Sequence, residues 1–163
     1  MDLDKYTRLT YGGLIGALVF LGTWILKVPI VNGYLNLGDG IILISAIILG
    51  PFAAVPAAIG SALADLASGY AMYAPFTFFI KGLVALVPAL LLRGRAPTFM
   101  TMLIPFILAE MIMAAGYFVA DSMLLTTAGA ALSLPFNLLQ GFFGITLGLF
   151  GSHIVLRSKI KRF

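Results

Sequence analysis

GIILISAIILGPFAAVPAAIGSALADLASGYAMYAPFTFFIKGLVALVPALLL, residues 40–92, carries only two charged side chains, Asp65 and Lys81, in 53 residues. A helix that crosses the roughly 30 Å hydrocarbon core of a bilayer needs about 20 apolar residues, so length alone allows two or three crossings here. The breakers favour three. Gly50-Pro51 makes a tight turn and GYAMYAP (69–75) a second loop, which leaves segments 40–50, 52–68 and 75–92. Runs such as IILISAIILG (41–50) are apolar on every side, whereas the strands of a membrane β-barrel alternate polar and apolar residues.

Outward from this stretch, further apolar segments run over 9–26, 98–120 and 134–156, the last two separated by a weakly polar loop at 121–133. Basic residues fall in three clusters: Lys5 and Arg8; Arg93 and Arg95; and Arg157, Lys159, Lys161 and Arg162. If such clusters mark the cytoplasmic face, an even number of crossings separates each pair, and four plus two satisfies the lengths. The expectation is an all-α integral membrane protein: one six-transmembrane-helix domain over residues 1–163 with N- and C-termini cytoplasmic. The leader MDLDKYTR is mixed in charge and no small-x-small site precedes Pro29, so the first segment reads as a retained helix, not a signal peptide.

Composition agrees. The 163 residues are 61% hydrophobic and 10% charged, with a mean hydropathy of +1.10; a soluble domain carries about 25% charge. There is no cysteine and one histidine, His153, which excludes disulfides, thiolate sites and multi-histidine metal centres. No metal or cofactor is expected. The net charge of +4 speaks of membrane orientation, not nucleic acid.

Ionisable groups at membrane depth are costly and mark candidate sites. At 1.5 Å per residue, Asp39 sits at the outer mouth, Asp65 roughly 6 Å deep, Lys81 roughly 9 Å deep and Glu110 near mid-helix. Tyr117 follows Glu110 by seven residues on the same face, and Asn137 and Gln140 stack three apart. Asp65 and Lys81, level on neighbouring helices, read equally as a neutralising ion pair. Tyr34, Asn36, Tyr70 and Tyr73 decorate the outer loops, while the inner half carries little beyond Thr101, Ser152 and His153. A channel or proton relay needs polar groups through the full thickness; a cup open outward needs them only in the outer half. The first helix begins YGGLIGALVFLG, where Gly12 with Gly16 and Gly13 with Ala17 form two small-xxx-small pairs that admit another helix, from this bundle or from a partner.

NLGD (36–39), GP (50–51), SALADL (61–66), YAPFTFFIKGL (73–83), EMIMAAGYF (110–118) and NLLQG (137–141) together resemble the substrate-binding (S) components of energy-coupling factor (ECF) vitamin transporters, in the riboflavin-type group that also holds binders of pyridoxine and hydroxymethylpyrimidine. The resemblance covers nearly the whole chain. It implies a multi-pass protein of the bacterial plasma membrane that captures a vitamin from outside and delivers it inward. A transmembrane coupling protein (T component) and two cytoplasmic ATPases would be its partners. No phosphate-binding loop is present, so ATP hydrolysis would belong to those partners. The resemblance makes the small residues of the first helix, Gly12, Gly13, Gly16 and Ala17, the docking strip, with glycines where alanines are usual.

A flat heteroaromatic vitamin needs apolar or aromatic walls and a few fixed polar contacts. Tyr73, Phe76, Tyr117 and Phe118 are candidate walls; Asn36, Asp39, Lys81, Glu110, Asn137 and Gln140 are candidate polar contacts. Lys81 opposite Glu110 suits pyridoxine or hydroxymethylpyrimidine over the larger riboflavin, and the segment 31–39 reads as a lid. Riboflavin or another vitamin is the alternative ligand, and a stand-alone permease the alternative transporter. Nothing supplies the paired aspartates, Ser-His or His-x-x-x-His of an intramembrane hydrolase, so an enzyme is not expected.

Overall fold

Proline and glycine divide the helical chain where it turns. The computed structural model describes residues 3–30 and 33–158; Val31 and Asn32 of the expected lid, and Lys159, Lys161 and Arg162, lie outside them. The order is α1 (Leu3–Trp24), β1 (Lys27–Ile30), β2 (Gly33–Asn36), α2 (Gly38–Leu49), a 3₁₀ turn (Gly50–Ala53), α3 (Ala54–Ala67), α4 (Ala74–Leu91), α5 (Phe99–Leu124) and α6 (Thr127–Arg157). Gly50 takes φ 56°, a left-handed conformation open to glycine, and Pro51 follows inside the turn. A reciprocal capping box of Thr98 and Thr101 starts α5, and the Thr126 side chain caps α6 by accepting from the Gly129 N–H at 3.0 Å.

The helices shuttle between two ends. Arg8 near the start of α1 donates to the Leu49 carbonyl at the end of α2, and Lys27 just beyond α1 donates to Ser68 just beyond α3. α2 therefore descends along α1 and α3 climbs back. The end bearing the β-hairpin is called upper here, and the end bearing Arg8 lower. Arg8, Arg93 and Arg95 meet at one cleft of that lower end.

By length and composition four stretches can cross a membrane: Gly38–Ala67 taken whole, Ala74–Leu91, Phe99–Leu124 and Thr127–Arg157. The sequence reading expects six; the difference lies in α1, whose first turns carry Lys5 and Arg8, and in the helices α2 and α3, which are short singly. α2 has 12 residues, 10 of them buried, about 18 Å of helix at 1.5 Å per residue. Enclosed by α1, α4 and α6, it has its length set by those neighbours and not by lipid.

Two further differences matter. Residues 27–30 and 33–36, read as loop, pair as antiparallel strands in which Lys27 faces Asn36 and Pro29 faces Tyr34. The loop expected at 121–133 is almost entirely helix: α5 continues to Leu124 and α6 begins at Thr127. The apolar core, including Leu43, Val84, Met102, Phe106, Ala109 and Met113, fills the middle and lower part of the bundle.

Candidate functional site

α2 begins immediately after the hairpin, which brings Asp39 in its first turn under β2 and against α4 and α6. Asp39 is 0% exposed, so its carboxylate must be paired to be tolerated. Lys81 of α4 donates to Asp39 Oδ1 at 2.6 Å, and Gln140 of α6 donates through its amide nitrogen to Asp39 Oδ2 at 2.6 Å. The Gln140 carbonyl oxygen accepts from the Asn36 backbone N–H at 3.0 Å, and Asn36 Oδ1 accepts from the Gly38 N–H at 2.9 Å. One charge-assisted chain thus ties β2 to α2, α4 and α6. The Lys81 ammonium also lies 5.3 Å from the Tyr117 ring centroid.

Above this network opens a cavity whose empty space, with the open solvent at its mouth included, is about 530 Å³. Of the expected ligand residues, Asn36, Tyr73, Lys81, Tyr117, Asn137 and Gln140 line it. Asp39 does not; it braces Lys81 and Gln140 from below. Glu110 also stays behind the wall. It is 4% exposed and neither of its carboxyl oxygens has a hydrogen-bond partner. Two glycines of α6 make room for it: a Cβ on Gly141 would fall 3.0 Å from the Glu110 Cβ, and one on Gly144 would fall 2.9 Å from Glu110 Oε1 and 3.0 Å from the Asp39 Cβ. Phe76 packs into the apolar core and Phe118 does not line the cavity.

Asp65 and Lys81 do not pair. Tyr34 of the hairpin donates to Asp65 Oδ1 at 2.5 Å, because the hairpin folds back over α3 while α2 delivers Asp39 to Lys81. On the far side Tyr73 donates to Asp121 at 2.7 Å. Tyr70 stands between them, its ring 5.2 Å from Tyr34 and 6.2 Å from Tyr73. Burial, then the adjacent Asp65 carboxylate, pushes the Tyr34 phenol far above its ordinary pKa; burial and the bond to Asp121 do the same for Tyr73. Both therefore remain donors at any physiological pH. Asp121, Thr23, Ser61 and Thr77 also line the cavity and were not among the expected residues. Asp121 had a signal, since it follows Tyr117 by four residues on one helical face.

The expected docking strip divides. Gly12 and Gly16 turn inward, a Cβ on Gly12 falling 2.8 Å from the Phe52 ring and one on Gly16 falling 3.4 Å from the Pro56 Cβ. Gly13 and Ala17 are exposed, with nothing within 4 Å of a Cβ on Gly13. All four, with Phe52, Pro56 and Gly60, line an apolar groove between α1 and α3.

Among the described residues no group of three His, Cys, Asp or Glu side chains is placed to hold a metal ion. The arrangement holds polar groups beneath the paired strands: Lys81 and Asp39 are spent on each other, while Asp65 and Asp121 are held by tyrosine hydroxyls.

Known proteins share this architecture and sequence. A solved structure described as the S component of a bacterial ECF transporter superposes with a TM-score of 0.76 over 94% of this chain and 99% of that one, at 18% identity. A Pyrococcus woesei protein described as uncharacterized, in a gap 3' region, is 30% identical over 145 residues, 87% of this chain and 96% of its own length. The model of the family described as "ECF-type riboflavin transporter, S component" matches residues 4–155. That is a family of transporter components and not of enzymes, and the chain belongs to it.

Proposed function

We propose that this chain is the vitamin-capturing S component of an ECF importer. It would take a compact heteroaromatic vitamin, pyridoxine or hydroxymethylpyrimidine in preference to riboflavin, from outside the cell and deliver it inward with a T component and two ATPases. The observation that carries this reading is the cavity itself: tyrosine-lined, polar, latched by a hairpin, and closed below by an apolar core in a chain of this family. Of the buried polar residues among those described, only Ser45 and Ser152 lie well below Glu110, and Ser45 donates to a carbonyl of its own helix. That distribution favours a receptor over a stand-alone permease, which needs polar groups through the full thickness. Riboflavin is the second reading, favoured by the family's description.

In this reading the chain is one domain that lies in the plasma membrane, bacterial by the resemblance. All six helices cross, and the upper end faces outward because Lys5, Arg8, Arg93, Arg95 and Arg157 belong to the lower, cytoplasmic end. Asn36, Tyr73, Lys81, Tyr117, Asn137 and Gln140 contact the vitamin, with Asp39 and Glu110 behind them. Purified full-length protein should carry a heteroaromatic vitamin identifiable by mass spectrometry. Gln140→Ala, which cuts the tie between lid and floor, should weaken that vitamin's binding about 10- to 100-fold in calorimetry, as expected for one or two lost charge-assisted bonds. A protein that carries none, and binds none from a vitamin panel, would overturn the reading.

The exposed Gly13 and Ala17 are the accessible part of the docking strip for the T component. Gly13→Trp should abolish co-purification with the coupling subunit while leaving the vitamin's Kd within about twofold, because among the described residues nothing lies within 4 Å of a Cβ at that position. An intact complex would move the docking surface elsewhere.

A further inference from the structure

Three arginines from separate parts of the chain meet at the lower end of the bundle. Arg8 of α1 and Arg93 and Arg95 of the turn after α4 line one cleft, and every other residue lining it is alanine, isoleucine, leucine, proline or glycine. Ala46, Ala89 and Leu92 among these are buried and give the cleft an apolar floor. Arg93 and Arg95 are exposed, and among the described residues neither side chain is hydrogen-bonded or ion-paired. The described carboxyl groups, Asp39, Asp65, Glu110 and Asp121, all belong to the site above or to the wall behind it. Asp2 and Asp4 lie outside the described side chains.

Carbonyl groups that end a helix repel an anion, but here they are already taken. The Arg8 guanidinium donates to the Leu49 carbonyl at 3.3 Å and lies 4.9 Å from the Phe52 ring centroid, which holds it at the cleft wall. Gly94 takes φ 75°, a left-handed turn suited to glycine. The chain folds back there, and the Arg93 and Arg95 N–H groups donate to the Leu90 and Leu92 carbonyls at 3.2 and 3.0 Å.

We propose that this cleft binds the phosphate of an anionic phospholipid, with the headgroup among Arg8, Arg93 and Arg95 and an acyl chain against the apolar floor. Guanidinium groups meet phosphate oxygens in pairs of parallel hydrogen bonds, and basic pockets between membrane helices at headgroup level take anionic lipids. The apolar floor favours an amphiphile over a soluble phosphate, since only the amphiphile covers it. In the orientation proposed above, the lipid belongs to the cytoplasmic leaflet. It ties α1 to the turn after α4 at the end of the bundle opposite the vitamin.

The test is native mass spectrometry of the full chain in a neutral detergent, titrated with phosphatidylglycerol or phosphatidylcholine carrying the same dioleoyl chains. The anionic lipid should bind at least about 30-fold tighter, and Arg95→Gln should remove about fivefold of that preference. Arg93→Gln/Arg95→Gln should remove at least about 10-fold. Both side chains are exposed and unpartnered among the described residues, so these variants should melt within about 2 °C of the parent. Should the double variant not fold, the single one decides. Arg157→Gln takes one cation from the same end but outside the cleft, and should change the preference less than about twofold. Equal binding of the two lipids overturns the proposal and leaves the arginines to an acidic partner protein. A preference that survives the double variant, or that falls as far in Arg157→Gln as in Arg95→Gln, overturns it too. So does displacement of phosphatidylglycerol by an equal concentration of inorganic phosphate, which assigns the cleft to the free ion. Each of these results leaves the vitamin-binding reading intact, and a chain that binds no vitamin leaves the lipid site intact.

Discussion

Lys81→Met should lower the melting temperature of the detergent-solubilised protein by about 10 °C and weaken ligand binding with it. Lys81 is 1% exposed and Asp39 0%, so removing the ammonium leaves a carboxylate with no counter-charge in a water-poor site. Breaking one side of a buried ion pair costs about 3–5 kcal/mol, and each kcal/mol moves the midpoint of a chain this size by about 2–4 °C. The neighbourhood makes the loss worse, since Glu110 shares the space beside Asp39 across Gly144 and its own oxygens lack partners. In Asp39→Asn/Lys81→Met neither charge remains, and Gln140 can still donate to the residue at position 39. That double variant should recover at least half of the lost stability while binding stays weak, because Lys81 also lines the cavity. Lys27→Met, at the solvent-facing mouth, should change the midpoint by less than about 2 °C. A single variant no less stable than the double would show that the pair contributes nothing to the fold.

Depth along a helix was legible from sequence and rotation about its axis was not, which explains where the reading succeeded and failed. The rise per residue put Asp65 and Lys81 at one level. Their faces were set by the Gly50-Pro51 turn and by the hairpin, so Lys81 met Asp39 and Asp65 met Tyr34. Gln140 and Tyr117, which line the cavity, were recognisable because polar side chains on apolar helices have few alternatives to a shared interior. Asp121 was missed for the opposite reason: a carboxylate normally signals the end of a membrane helix, and here α5 carries it inward against Tyr73. The hairpin was missed because its two four-residue strands leave no periodic signal. Gly12, Gly13, Gly16 and Ala17 read as one strip in the sequence, and only contacts with the 3₁₀ turn and α3 separate Gly12 and Gly16 from Gly13.

The same contacts give a result that helix propensity alone gets wrong. Gly60→Ala in α3 should gain up to about 1 kcal/mol from propensity, yet it should destabilise the protein by about 1–3 kcal/mol. A Cβ at position 60 falls 2.5 Å from the Gly16 carbonyl oxygen and 3.2 Å from the Val19 Cβ. The first obstacle is backbone, so no rotamer relieves it, and α1 must move away from α3. Val19→Ala in the same chain should therefore fail to rescue it. The hairpin hangs from the end of α1, and Thr23, Ile30 and Tyr34 from these elements line the cavity. Displacing α1 should thus weaken vitamin binding about 10-fold, although Gly60 does not line the cavity. Gly82→Ala, whose Cβ would meet Ala58 at an ordinary 3.5 Å, should be neutral or stabilising, which separates packing from any general intolerance of glycine replacement. If Gly60→Ala melts at or above the parent temperature with binding unchanged, then α1 and α3 are not locked together, and the hairpin is not positioned through them.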